Sequence, residues 1–376
     1  MRIAVYSEAF LPSLGGCEIM SDLLARALTE CGHKVLVVTA TPAEPSFDVG
    51  LPYRVIRRPD AMTILRAYSD RDLVVCKRGV CIKGCWPAAL LAKRLVTVHE
   101  SGSPYWKGPT RGVRSWLKAA IRHALVAYAR GQVGVTSAAM KANTGPLSRR
   151  VWTVYNAVSP ELAECIRRER NERCGAQRAE YDVLYVGRIV KEKGVVVLAD
   201  ALRLADRSGL ALRACFVGEG DATAPLRDIA SHLHHVTVDF PGRLGGPSLA
   251  RAYCASAVTV LPTLPDSPGS QFTLEGMGLV LAESFFAGLP VVASDLPTIR
   301  EVVGDGGLLF TPGDPVELCE KLRRLVTDAG LYGSLAARAS VRANTFLYET
   351  YKVRINEVLS ILSGCSWKNR TPARTS

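Results

Sequence analysis

Two carboxylates, Glu275 and Glu283, stand eight positions apart in the stretch EGMGLVLAESFFAGLPVVASD (275–295). The run from Gly278 to Ala287 is rich in Leu, Ala and Phe, so it reads as a buried helix that opens on glycine. Glu275 then precedes the helix and Glu283 falls about a turn and a half inside it, so the two acids bracket whatever sits over the helix N-terminus. Unpaired N–H groups and the positive end of the peptide dipoles make that N-terminus an anion site, which the small Gly278 lets a ligand approach. A phosphate flanked by two acids is one reading; a solvated Glu275 with Glu283 paired to a nearby cation is the other. In GRIVKEKG (187–194), Arg188 and Lys193 follow a predicted strand. They either converge on a diphosphate, Arg as a fork and Lys as a point charge, or decorate a surface loop. In LPSLGGCE (11–18), Gly15 and Gly16 open a helix after the first strand. Backbone amides there turn toward a phosphate or sugar, or the glycines serve packing alone.

The elements that must position these residues alternate strand and helix. Short apolar, β-branched runs occur at 2–7, 33–39, 72–77, 95–100, 133–137 and 151–156, separated by helix-length segments. That pattern predicts parallel βαβ units with both sheet faces covered. A charged, weakly periodic stretch follows, and the pattern restarts with strands predicted at 182–189, 212–218, 236–242, 258–263, 289–295 and 306–312. The expected architecture is α/β, two Rossmann-like domains facing each other across a cleft, with ligands beyond the carboxyl ends of the strands. The expected boundaries are an N-terminal domain over 1–157, a linker over 158–180 and a C-terminal domain over 181–345. A helix over 346–364 crosses back to the N-terminal domain, and a flexible tail covers 365–376.

Composition narrows the class. The chain has 376 residues, 48% of them hydrophobic and 22% charged, which suits two ordinary cores and argues against extensive disorder. No apolar run reaches the ~18 residues of a membrane span, and the N-terminus lacks a cleavage pattern, so a cytoplasmic protein is expected. Eleven cysteines are scattered without a C-x-x-C pair, and the tightest group, Cys76, Cys81 and Cys85, does not have the spacing of a common zinc site. No metal site is expected. The net charge is +12, and residues 93–173 carry 15 Lys+Arg against 5 Asp+Glu. This asymmetry points to an anionic partner surface, phospholipid or nucleic acid.

In chain order, GG in the first turn, VTVHE at mid-domain, YNAV at the crossing, GRIVKEKG, FVGEGD, VTVDFPGRL and EGMGLVLAESFFAGLPVVASD resemble the family 4 retaining glycosyltransferases of the GT-B fold. The resemblance covers roughly residues 1–345 and is most specific at Glu275, Gly278, Glu283, Arg188 and Lys193. It implies a nucleotide diphosphate-sugar donor, UDP- or GDP-linked, with no metal required. Under it, Glu283 holds the donor ribose and Glu275 lies beside the transferred sugar. The amides of Gly278, Leu279 and Val280 hold the diphosphate with Arg188 and Lys193, while Gly15, Gly16 and Gly187 line the donor site. Gly218, Arg243 and Leu244 fall near the base, and His99 near the donor sugar, although Glu100 beside it loosens the local match. The loop over 261–274 is longer than the shortest family versions, which leaves the sugar's identity open. A nucleotide-sugar epimerase or hydrolase on the same fold would need further acid and base groups that no motif supplies. A basic nucleic-acid-binding protein would leave the acidic pair unexplained and lacks aromatic stacking platforms.

For the acceptor, Arg111, Arg114, Lys118 and Arg122 form one helical stripe beside Val113, Trp116, Leu117, Ile121 and Leu125. The stripe predicts an interfacial helix meeting anionic lipid, with a lipid-linked or glycan acceptor and a place on the inner face of the cytoplasmic membrane. The alternative is an amphipathic helix whose apolar side packs on the sheet and whose charges stay in water.

Overall fold

The computed structural model describes residues 1–13, 15–43, 45–100, 113–143, 148, 150–172, 179–265 and 275–364. The apolar runs form two parallel sheets. The first holds β1 (Arg2–Ser7), β2 (Lys34–Thr39), β3 (Arg54–Arg57), β4 (Leu73–Lys77), β5 (Arg94–His99), β6 (Gly131–Gly134) and β7 (Val151–Thr153), in the order β3-β2-β1-β4-β5-β6-β7. The second holds β8 (Tyr181–Val186), β9 (Leu212–Val217), β10 (Val236–Gly242), β11 (Ser256–Leu261), β12 (Val291–Ser294) and β13 (Gly307–Phe310), in the order β10-β9-β8-β11-β12-β13. The strand β3 adds to the expected set; its sequence RVIR has two apolar residues flanked by two charged ones, which a short half-buried edge strand tolerates.

Helices cover both faces of each sheet. On one face of the first, Leu23, Leu24 and Leu28 of the helix Gly16–Glu30 pack with Val5, Val37 and Val75. On the other face, Tyr6, Val38 and Val74 meet Ile64, Tyr68 and Val126. Strand order reverses between β1 and β4 in the first sheet and between β8 and β11 in the second. Crevices at the carboxyl ends of the strands form at such reversals, so they mark where a ligand site belongs.

The helix Tyr348–Ser363 returns to the first sheet, where Tyr351, Ile355 and Leu359 join its core. Asn356 Oδ1 lies 2.7 Å from His33 Nε2, and the Tyr348 hydroxyl donates to Glu30 at 3.1 Å. Residues 158–180, expected as a linker containing a short helix, hold the 13-residue helix Pro160–Glu172, whose Leu162 and Ile166 pack into the core of the second sheet. The chain's two passages between the sheets run side by side, with the Val158 amide donating to the Phe346 carbonyl at 3.1 Å. The units also touch where the Thr136 hydroxyl donates to the Gly276 carbonyl at 3.1 Å. Glu301 gathers three donors from the first unit, the Ser137 and Ala138 amides and the Tyr155 hydroxyl, each at 2.8 Å. Among the described residues, no helix is long and apolar enough to cross a membrane and no cluster of three or more His, Cys, Asp or Glu could hold a metal.

Candidate active site

The site lies at the strand-order reversal of the second sheet. Gly187 and Arg188 follow β8, and Gly218 follows β9 at φ +138. A Cβ at Gly218 would fall 1.8 Å from the Gly187 carbonyl oxygen, so the two strand ends can meet only through backbone. The Tyr185 hydroxyl donates to the Arg188 carbonyl at 2.6 Å and fixes the turn. The Arg188 side chain is exposed and has no ion pair among the described residues. Lys193 ends a single 3-10 turn, Lys191–Lys193, and its ammonium pairs with Glu275 Oε2.

Glu275 enters the helix Leu279–Ala287 from the other side. Its Oε1 accepts from the Gly278 amide at 3.1 Å, and Thr298 Oγ1 donates to its backbone carbonyl at 2.9 Å. The helix starts at Leu279, one residue beyond the sequence expectation, because Gly278 takes a left-handed conformation with φ 70 and ψ 78. A Cβ at Gly278 would also lie 2.8 Å from Leu261 Cδ2, so both conformation and space call for glycine. The Leu279 and Val280 amides, in the first helical turn, have no acceptor within the helix, the arrangement that suits a helix start to an anion. The first domain comes close at this point: a Cβ on Gly16 would lie 3.1 Å from Leu279 Cδ1. Gly15 provides the extended residue before the Gly16 helix.

Glu283 lies in the second turn of the Leu279 helix, partly covered, and accepts from the Tyr253 hydroxyl at 2.6 Å. Burial raises its carboxyl above the ordinary value, and the tyrosine hydrogen bond pulls the other way. Between the ends of β9 and β10, a cavity of about 410 Å³ is lined by Gly218, Glu219, Thr223, Arg227, Phe240 and Gly242 among others. Arg227 lies over the Phe240 ring at 4.9 Å, and Thr223 Oγ1 is buried without a hydrogen-bond partner among the described residues. Arg243 and Leu244 directly follow; Arg243 is exposed, and Leu244 packs partly against the second core.

His99 ends β5 and is 3% exposed. Its Nε2 lies 3.1 Å from Thr97 Oγ1, and Gly79 packs against the ring so closely that a Cβ there would come 3.0 Å from Nδ1. Burial pulls its pKa down to about 4, so the imidazole is neutral at physiological pH. The next residue, Glu100, forms an ion pair with Lys77 at the end of β4, and both side chains are buried. Cys17, after the glycine pair, has its thiol pushed up to about 12 by burial first and by the charge of Glu100 second.

The structure thus gathers Glu275, Lys193, Gly278, Leu279, Val280 and Gly16 at one helix start. Arg188 and Glu283 flank that point, and His99 sits beneath the surface of the opposing domain. Sequence reasoning missed Tyr253, Thr298, Tyr185, Thr136 and Glu301. None lies in a motif, and only the fold brings them to the site.

Of the basic stripe, Arg111 and the loop over 266–274 lie outside the described residues. Arg114, Lys118 and Arg122 lie on the helix Val113–Tyr128 and are exposed. The apolar residues beside them are not covered: Val113 is 85%, Trp116 65% and Leu117 62% exposed. Ile121 is half-buried, and Leu125 alone of the five enters the core.

Residues 180–328 match the family model described as "Glycosyl transferases group 1". The chain is 32% identical over 260 residues to a D-inositol 3-phosphate glycosyltransferase of Thermomonospora curvata, covering 61% of this chain and 58% of that protein. It is 31% identical over 202 residues to a phosphatidyl-myo-inositol mannosyltransferase of Mycolicibacterium smegmatis, covering 52% of this chain and 48% of that one. The chain spans between 26% and 58% of the length of three curated relatives it matches. In fold, it superposes on Anabaena HepE in complex with UDP-glucose with a TM-score of 0.71 at 19% identity, covering 96% of this chain and 100% of that one. The matched stretch carries Arg188, Lys193, Glu275 and Glu283, so residues 180–328 are similar to a group 1 glycosyltransferase domain, and the chain as a whole has the two-domain fold of the solved glycosyltransferase structure.

Proposed function

We propose that this protein transfers a sugar from a nucleotide diphosphate donor, UDP- or GDP-linked, to a lipid-linked or polysaccharide acceptor, with retention of configuration and without a metal. The observation that carries the reading is the convergence of Lys193, Glu275 and the Leu279 and Val280 amides on one helix start, with Gly16 of the other domain packed across it. A diphosphate seated there receives backbone N–H groups, the helix dipole and the Arg188 and Lys193 charges.

The reaction this arrangement supports is balanced within the site. The bond from the anomeric carbon to the β-phosphate oxygen breaks, and the diphosphate takes the electron pair. The acceptor oxygen bonds the same carbon on the same face, and its proton passes to the departing phosphate. Lys193, Arg188 and the helix amides stabilise the charge that grows on the leaving group, and one such donor contributes about 3–4 kcal/mol. Glu283 accepts the ribose hydroxyls, and Tyr253 orients it. The cavity beside Gly218 takes the base, with the Arg243–Leu244 turn at its rim. Gly15, Gly16, Gly187 and His99 bound the sugar side.

The exposed Val113, Trp116 and Leu117 beside Arg114, Lys118 and Arg122 support contact with an anionic membrane surface, hence a peripheral enzyme on the cytoplasmic face. The relative named as a phosphatidyl-myo-inositol mannosyltransferase fits that placement.

The test is a thermal-shift screen of nucleotide sugars, followed by product analysis of the stabilising donor with lipid and glycan acceptors. Acceptor-dependent transfer with retained configuration is expected. Free sugar or an epimer produced without acceptor assigns a hydrolase or epimerase instead.

A further inference from the structure

Parallel strands start on one edge of a sheet and end on the other, so the cleft at the carboxyl ends leaves the amino edge of the first sheet unassigned. A second cavity of about 410 Å³ lies on that edge, walled by the turns that lead into β5, β6 and β7 and by the end of the Val113–Tyr128 helix. Four cations line it, Lys93, Arg94, Arg130 and Arg150, and its wall contains no carboxylate among the described residues. Lys93, Arg130 and Arg150 form no ion pair among the described residues; Lys93 Nζ donates to the Ser69 carbonyl at 2.6 Å. The cavity is held in shape. The Tyr128 hydroxyl donates to the Lys93 carbonyl at 2.5 Å, and the Gln132 amide donates to the Arg150 carbonyl at 3.1 Å. Two wall residues that are not glycine, Ala92 at φ 52 and Arg150 at φ 46, keep left-handed backbone, which the surrounding turns must hold in place.

We propose that this cavity binds a phosphate-bearing anion. The charges of Lys93, Arg130 and Arg150 repel one another until an anion enters, and the two guanidinium forks with the ammonium suit the several oxygens of a phosphate. The volume falls in the range of roughly 300–1,000 Å³ usual for small-ligand sites. Ala127 and Tyr128 join the cavity to the helix whose first turns expose Trp116 and Leu117. A lipid headgroup phosphate and a free phosphate ester share the recognised chemistry. The site stands whether or not the cleft transfers sugar.

Calorimetric titration of the full chain with pyrophosphate tests it, comparing wild type, Arg130→Gln with Arg150→Asn, and the cleft variant Arg188→Ala. Asn tolerates the left-handed turn, so the double variant keeps the backbone. Saturable binding that weakens at least tenfold in the double variant and survives in Arg188→Ala is expected. No saturable binding, or loss in Arg188→Ala alone, overturns the proposal. Phosphatidylglycerol vesicles assign the source. Vesicle binding that falls in the double variant and is displaced by pyrophosphate identifies the headgroup; pyrophosphate binding that vesicles leave unchanged identifies a soluble ester. Displacement by RNA with an affinity that rises with strand length gives the surface to nucleic acid and overturns the proposal.

Discussion

The Lys193 ammonium and the Glu275 carboxylate form an ion pair across the start of the Leu279 helix, joining the turn after β8 to the segment after β11. On the proposed reading, the pair holds Lys193 where a departing phosphate needs it, and Glu275 neutralises it until a donor arrives. Lys193→Met should lower kcat by roughly 10²–10³ with a small change in donor KM, because the charge matters most as the leaving group forms. Steady-state kinetics check this. A rise in KM with kcat unchanged would show that Lys193 holds the bound donor alone.

Glu283, proposed to hold the ribose, also carries a stability cost. Its carboxyl is raised by burial, so the folded chain holds that proton more tightly than the unfolded chain does, and stability falls as pH rises above the ordinary carboxyl range near 4.5. Glu283→Gln should raise Tm at pH 7, and the gain should shrink toward pH 4. The same variant should weaken nucleotide affinity by about 1.5–3 kcal/mol in calorimetry, the range for a hydrogen bond to a charged group. Equal affinity in wild type and variant would remove Glu283 from the ribose site.

Tyr253 is a positioning residue, since its hydroxyl reaches Glu283 at 2.6 Å and its ring is fully buried. Tyr253→Phe should weaken nucleotide binding about tenfold while kcat at saturating donor stays near wild type. A variant that loses kcat and leaves affinity intact would contradict that role.

His99 makes the fold sensitive to acid. Its pKa is lowered from 6.5 to about 4, so the unfolded chain binds the proton more readily, and stability is lost as pH falls through that interval. The contribution is on the order of 3 kcal/mol at most. His99→Gln should flatten the dependence of Tm on pH between 6.5 and 4, and an unchanged profile would assign the acid sensitivity to other groups.

The helix Val113–Tyr128 should govern vesicle binding. Charge reversal at Arg114, Lys118 and Arg122 removes roughly 1 kcal/mol of attraction per residue, so co-sedimentation with anionic vesicles should fall while nucleotide binding persists. High salt should reproduce the loss in the wild type. A wild-type protein that ignores anionic vesicles at low salt would favour a soluble acceptor.

The alternation of apolar runs was enough to read two parallel sheets, since strands buried on both faces leave a continuous signal in sequence. It was not enough for β3, where only one side chain in two is apolar. Nor was it enough for the end of the strand expected over 133–137, which stops at Gly134, before Val135 and Thr136 turn toward the second domain. The motif glycines could be read because they sit in local turns; the ion pair of Lys193 with Glu275, 82 positions apart, could not, since only the fold brings the two together. Nor could Tyr253, as it reaches Glu283 from a helix 30 positions away that reads as ordinary amphipathic sequence. Periodicity also placed Trp116 and Leu117 with Leu125 on one apolar side, but it cannot tell which turns of a helix the sheet reaches.

The adjacent passages at Val158 and Phe346 decide how the two halves can move. Bodies joined by one strand can swivel about it as well as swing. Two strands bonded side by side resist the swivel and leave a folding motion about their shared line as the soft coordinate. Glu301, with its three donors from the opposite half, then works as a catch, and any wide gape must first release those contacts together.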